Sequence, residues 1–276
     1  MSPPAVSRPA RLALGLVVHD RPERTRELID AVHSDEITVF LHVAANSAFA
    51  VEAFLPDDAT RVVVVEPRST IRWGSPRLID AIAATMRLAA THQPDYFSLI
   101  SGACWPTKPP AEIVQRLYGS SAAGFVDLAA LNPGWWPRLD QFHISVPLPL
   151  PIVHNLTRVR IRLPGRHRSR IPKPYGGSCW LDLRGDVLAW LVDRIDADPA
   201  YRRHFAFTQL TDEIFFHTLL MDSPYRDQLV NIHDDEHHLL GLRYIRWTTG
   251  EHPQTLTPAD LDAAQQSDCI FARKRP

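Results

Sequence analysis

The sequence predicts an α/β fold: a mostly parallel, twisted sheet flanked by helices. Two observations carry that expectation. Apolar runs of strand length alternate with helical patterns through the first half of the chain, and short small-residue turns follow the runs, where a parallel sheet places its ligands. With 276 residues and 45% hydrophobic content, the chain can bury such a sheet on both faces within a single domain, taken as 1–276.

The rhythm opens with a buried strand at Leu12–Val18 and a helix over 22–33, where Pro22 suits a first helical position and Glu23 the positive helix end. A strand at Ile37–Val43, a strand at 61–65, a helix over 75–92 and a strand at 96–100 continue it. A helix at Pro110–Tyr118 and a buried strand at 123–128 follow. From 132 to 175 the composition turns to Pro, Trp and Arg, which reads as a long irregular insertion; loops of that length in a compact domain are usually functional or mobile. Regular patterns resume with a strand at 179–183, helices over 185–195 and 211–221, a strand at 243–247 and a helix at Pro258–Gln266.

Bulk properties exclude several classes of function. A net charge of −1 gives no global attraction to nucleic acid or acidic membranes. The cysteines Cys104, Cys179 and Cys269 are odd in number, far apart and without a CxxC pair, so neither a disulfide framework nor a thiolate zinc site is expected. The apolar run at Leu12–Val18 is too short to span a bilayer, and no other stretch approaches the roughly 20 apolar residues a membrane helix needs. The expectation is a cytoplasmic protein without a transmembrane segment.

Several short motifs, in order, carry a resemblance. Val17-Val18-His19-Asp20-Arg21-Pro22-Glu23 and Phe40-Leu41-His42-Val43 come first, then Arg72-Trp73-Gly74-Ser75 and the run from Asp95 through Ser101-Gly102-Ala103-Cys104 to Pro106. Gly176-Gly177-Ser178-Cys179-Trp180, Thr211-Asp212-Glu213-Ile214-Phe215-Phe216, Leu242-Arg243-Tyr244-Ile245-Arg246-Trp247 and Ile270-Phe271-Ala272-Arg273-Lys274 complete the set. Together they resemble the core-2/I-branching β-1,6-N-acetylglucosaminyltransferase family, which includes the peptide-O-xylosyltransferases. The resemblance spans nearly the whole chain and is weakest over 132–175.

The resemblance implies a GT-A-like fold and a soluble, bacterial-type glycosyltransferase that inverts the sugar, needs no divalent metal and carries no cofactor. The donor it implies is a UDP-sugar, with N-acetylglucosamine or xylose as the sugar, and the acceptor is a hydroxyl of a glycan or small molecule. Inversion requires a carboxylate base that deprotonates the incoming hydroxyl. Glu213 matches the family's base, with Asp212 as its neighbour. By residue type alone, Thr211, Asp212 and Glu213 are also an ordinary capped helix start. Lys274 matches a diphosphate ligand, and Arg246 or Arg273 stands in for a second cation that the short loop before Asp260 lacks. The nucleotide crevice falls near Val43, Gly102 and Cys104, and Trp247 matches an acceptor-sugar platform, whereas Trp180 reads as core. Ala44 and Cys104 replace two family carboxylates at the crevice, which opens the donor choice to a dTDP-sugar or leaves a catalytically lapsed sugar-nucleotide-binding relative.

Two features fall outside that frame. The run His233-Asp234-Asp235-Glu236-His237-His238 has the residue types of a metal site and suggests a metal-dependent hydrolase as an alternative, although adjacent positions diverge on any regular element. The arginines from Arg158 to Arg170 form a basic stretch that solvates the surface, meets an anionic acceptor or contacts a membrane surface peripherally.

Overall fold

The computed structural model describes residues 11–71, 74–131, 133–145, 158–161, 173–233, 239–247 and 253–275. In chain order the strands are β1 (Leu12–Val18), β2 (Ile37–Val43), β3 (Val62–Val64), β4 (Tyr96–Ser101), β5 (Trp105–Pro106), β6 (Gly124–Val126), β7 (Ala129–Ala130), β8 (Phe142–Ser145), β9 (Arg158–Ile161), β10 (Tyr175–Gly176), β11 (Asp182–Arg184), β12 (Leu229–Asn231), β13 (Leu239–Leu240), β14 (Arg243–Ile245) and β15 (Phe271–Arg273). The helices are α1 (Pro22–Ala31), α2 (Arg77–Thr91), α3 (Pro110–Tyr118), α4 (Trp136–Asp140), α5 (Gly185–Ala197), α6 (Pro199–His204), α7 (Phe215–Met221) and α8 (Pro258–Gln266).

The central sheet runs β12-β6-β11-β4-β1-β2-β3. Its pairs are parallel apart from those of β11, which lies antiparallel to both β4 and β6. Strand alternation divides the core between the two faces. Leu12, Leu14, Leu16 and Val18 of β1 join Leu28 of α1 and Leu117 of α3 on one face, whereas Ala13, Phe40 and Phe97 join Ile82 of α2 and Leu188 of α5 on the other. Burial on both faces explains why these strands read as continuous apolar runs rather than as alternating ones.

A smaller sheet, β13-β14-β15-β5, stands beside the large one. One ionic contact welds them. Arg243 of β14 has no exposed surface, and its Nη1 and Nη2 donate to the two carboxylate oxygens of Asp182 on β11, each at 2.9 Å. Nη2 also donates to Ser98 Oγ at 2.7 Å and the Leu99 carbonyl at 3.1 Å on β4, and the Ser98 hydroxyl donates to Asp182 at 2.5 Å. Several bonds on one forked cation offset its desolvation and fix the small sheet against two strands of the large one.

Most expected elements are present, with shifted ends. The strand expected at 179–183 begins only at Asp182, and the helix expected over 75–92 starts at Arg77 behind Pro76. The helix expected over 211–221 is broken: Thr211–Glu213 is a separate 3₁₀ turn, entered through Leu210 at φ 48°, and α7 begins at Phe215. Thr211 is not a cap, because its hydroxyl donates to the Thr208 carbonyl. The insertion at 132–175 is less irregular than its composition implies, since it holds α4, the β8–β9 hairpin and the start of β10. The basic stretch lies outside the described residues except for Arg158–Ile161, and Asp234 to His238 lie outside them altogether.

Replacing Arg243 with Met leaves the Asp182 carboxylate buried without its cation. The expected loss is about 3–5 kcal/mol of unfolding free energy, read as a lower urea midpoint. An unchanged midpoint contradicts the weld.

Candidate active site

A cleft of about 1010 Å³ opens between the 3₁₀ turn at 211–213, the Gly176–Ser178 segment, the insertion and the small sheet. Asp212, Glu213, Arg273 and Trp247 line it together, so four of the residues selected from the sequence converge although they come from three separate stretches. Among the described residues, Val43, Gly102, Cys104, Arg246 and Lys274 do not line this cleft.

Glu213 is the best-defined acid of the group. Its Oε2 accepts from Arg138 Nη1 of α4 at 2.6 Å, and the Arg138 guanidinium lies 4.0 Å from the ring centre of Trp135. Burial first, and then the charge of Asp212, push the Glu213 carboxyl up to about 7 against the opposing pull of Arg138. Asp212 is buried and also raised, chiefly by desolvation, and its Oδ1 has no hydrogen-bond partner among the described residues. Two adjacent carboxyls thus meet different surroundings, an arrangement that separates a proton acceptor from its neighbour.

The turn carrying them is clamped by the Gly176-Gly177-Ser178 segment. The Gly177 amide donates to the Glu213 carbonyl at 3.0 Å, and the Ser178 amide donates to Asp127 Oδ2 at 2.6 Å. His217 Nε2 bonds the Ser178 carbonyl at 2.9 Å, and burial lowers this imidazole to about 4, so it is neutral around pH 7 and donates from that nitrogen. The approach is so close that a Cβ on Gly177 falls 1.8 Å from the Asp127 carbonyl oxygen, and one on Gly176 falls 2.5 Å from the Trp135 ring. These are the physical reasons for the paired glycines. Asp127 Oδ1 meets His233 Nδ1 at 2.5 Å, and both residues line the cleft.

The small sheet brings the cations. The Arg273 guanidinium lies 4.4 Å from the ring centre of Trp180, which is therefore both core and cleft wall. Past Lys274, the Arg275 amide donates to the Ala103 carbonyl at 3.0 Å, while its guanidinium stacks 3.8 Å from the Trp105 ring centre and pairs with Glu27 at 2.7 Å. This clamp ties the Arg273–Lys274 end of the chain to the turn that holds Gly102 and Cys104.

The structure gives several of the expected positions further partners or burial. Arg246 Nη1 donates to Asp260 Oδ1 at 2.5 Å, so its charge is met by the carboxylate that also closes the capping box of α8. Val43 and Cys104 have no exposed surface, because both pack into the core. No group of three or more His, Cys, Asp or Glu suited to a metal occurs among the described residues, and His233, the one described member of the metal-like run, is engaged by Asp127. No described helix is long and apolar enough to cross a membrane.

Arg138 and Asp127 were not singled out as a site by the sequence, and His233 was singled out only as part of the metal-like run. Arg138 is one of several arginines in a segment of mixed composition, and Asp127 ends a buried strand without a motif of its own. Only the fold brings them to Glu213.

The α/β sheet carries an acid-bearing cleft with a cation, Arg273, on a neighbouring strand, and comparison with known proteins gives the family. Residues 16–267 match the Core-2/I-Branching enzyme family, to which the chain belongs. Human xylosyltransferase 1 is 25% identical over 97% of this chain, and rat xylosyltransferase 2 is 27% identical over 96%. The chain spans only 29% and 32% of those two proteins. Among solved structures, apo mouse xyloside xylosyltransferase 1 aligns with 82% of this chain and 85% of its own, at 11% identity and a TM-score of 0.38; the assignment does not rest on it.

Substituting Gly177 with Ala forces the strap away from Asp127. The expected cost is about 1–3 kcal/mol, measured by urea unfolding, and an unperturbed variant contradicts the close approach.

Proposed function

We propose that this cleft moves a sugar from a nucleotide-sugar donor to a hydroxyl of a glycan or small-molecule acceptor, with inversion and without a divalent metal. The observation that carries the reading is Glu213, a cleft carboxyl raised to about 7 by burial, so that it both accepts and returns a proton near neutrality. Arg138 occupies Oε2, which makes Oε1 the oxygen that takes the acceptor proton. As the acceptor oxygen bonds to the anomeric carbon, the bond to the diphosphate oxygen breaks on the opposite face. Asp212 orients the acceptor beside the base.

Charge that develops on the leaving diphosphate needs fixed positive groups. Arg273, on the cleft wall, and Lys274, next to the clamped turn at 101–104, supply them in this reading. Trp247 is 38% exposed on the same wall and offers an aromatic face to the apolar side of a pyranose. The donor is UDP-N-acetylglucosamine or UDP-xylose, with a dTDP-sugar as the second choice because Ala44 and Cys104 carry no carboxylate. The relatives named above are mammalian and lend no support to a bacterial, cytoplasmic setting.

Glu213→Gln is expected to lower kcat about 10²- to 10⁴-fold with unchanged melting behaviour. In the wild type the base form grows as pH rises through about 7, so kcat/KM falls tenfold per unit below that value and levels above it. Retained turnover in the Gln variant, or a profile flat from pH 5 to 8, contradicts the role. In EDTA, UDP or dTDP is expected to raise the melting temperature; a shift that appears only with added Mn²⁺ contradicts metal independence.

A further inference from the structure

Asp127 is the buried charge that the proposed mechanism leaves without a task. Its side chain is 4% exposed, yet it sits at the end of β6 in the wall of the cleft rather than in the hydrophobic core. Both oxygens are engaged: Oδ2 by the Ser178 amide at 2.6 Å and Oδ1 by His233 Nδ1 at 2.5 Å. A buried carboxylate costs several kcal/mol of desolvation, which its two partners, the Ser178 amide and His233 Nδ1, offset.

The strap supplies the connection. Asp127 holds Ser178, the adjacent Gly177 amide holds the Glu213 carbonyl at 3.0 Å, and His217 closes the strap from α7. The route from the Asp127 carboxylate to the base therefore runs through two consecutive residues, with no room for a side chain at Gly177. We propose that Asp127 is the positioning residue of this site: it anchors the Gly176–Ser178 strap that fixes the Glu213 turn, and it contributes the standing negative charge behind the base. The inference rests on the reading of Glu213 as the base.

The other charges around Glu213 do not replace it. Asp212 on the same turn adds negative charge, Arg138 from α4 opposes both, and Arg273 from β15 lines the same cleft. Cys179 is held up as a thiol by burial, and His217 is neutral above about 4. His233 bonds Asp127 directly, and the Coulombic influence of Asp127 on Glu213 acts upward. Removal of the Asp127 charge leaves Arg138 less opposed.

The test separates anchoring from charge. Glu213 is followed by ¹³C NMR of carboxyl-labelled glutamate, assigned with Glu213→Gln, in the wild type, Asp127→Asn and Asp127→Glu. Asp127→Asn keeps an acceptor for Ser178 but removes the charge, so the Glu213 titration midpoint is expected to fall. Asp127→Glu keeps the charge but displaces the strap; the midpoint is expected to stay within about half a unit while kcat drops at least tenfold with little change in KM. A midpoint unmoved by Asn, with only a lower melting temperature, assigns Asp127 to stability alone and overturns the proposal. Should the Asn variant not fold, amide hydrogen exchange on the wild type decides: Gly177 and Ser178 are expected to exchange as slowly as β4, and fast exchange there overturns the anchor. The midpoint and exchange measurements need no substrate, whereas turnover retained by Glu213→Gln would defeat the base assignment alone.

Discussion

The Arg243–Asp182–Ser98 contact is the constraint on which the site depends. A guanidinium fully removed from water is expensive, and the fold accepts it only because Asp182, Ser98 and the Leu99 carbonyl converge on it from β11 and β4. Its location gives it its consequence. β14 pairs with β15 in parallel, so fixing Arg243 fixes the strand that ends in Arg273, and the end of β14 leads directly to Trp247. The cleft exists because the small sheet is held beside the large one at that distance.

Within the cleft, three acids sit in three environments. Asp127 is satisfied by two donors, Glu213 is half-compensated by Arg138, and Asp212 retains an oxygen with no partner among the described residues. Burial makes each of these differences count, because the penalty on an ionised carboxyl is large where water is scarce. Proton affinity is therefore assigned by surroundings rather than by residue type, and it places Glu213 near neutrality. The insertion at 132–175 takes part directly, since α4 delivers Arg138 and the turn before it delivers Trp135.

How much of this was legible varies with the range of the interactions involved. The strand at Leu12–Val18 and the helices at Pro110–Tyr118 and Pro258–Gln266 have the bounds their patterns predict, because proline starts and continuous apolar runs are local signals. The helix expected over 211–221 broke because the Gly177 amide captures the Glu213 carbonyl and Leu210 takes a left-handed conformation, and both are imposed by tertiary contacts. Glu213, Asp212, Trp247 and Arg273 were found from short motifs and do meet in one cleft. Arg246 does not line that cleft, and its partner is absent from its own segment: the Asp260 carboxylate, fourteen residues on, accepts from its guanidinium. Asp127 and Arg138 needed the fold, since nothing in their neighbours' identities marks them as partners of Glu213.

The central claim is that the Glu213 cleft and the Arg273–Lys274 strand end form one metal-free transfer site. A crystal structure of the protein grown with UDP or dTDP in EDTA tests it most directly. The account predicts a diphosphate against Arg273 and Lys274, with its terminal phosphate facing the Glu213 side of the cleft and no ion between the phosphates. A nucleotide bound away from that strand end, or one that orders only around an added divalent cation, contradicts it.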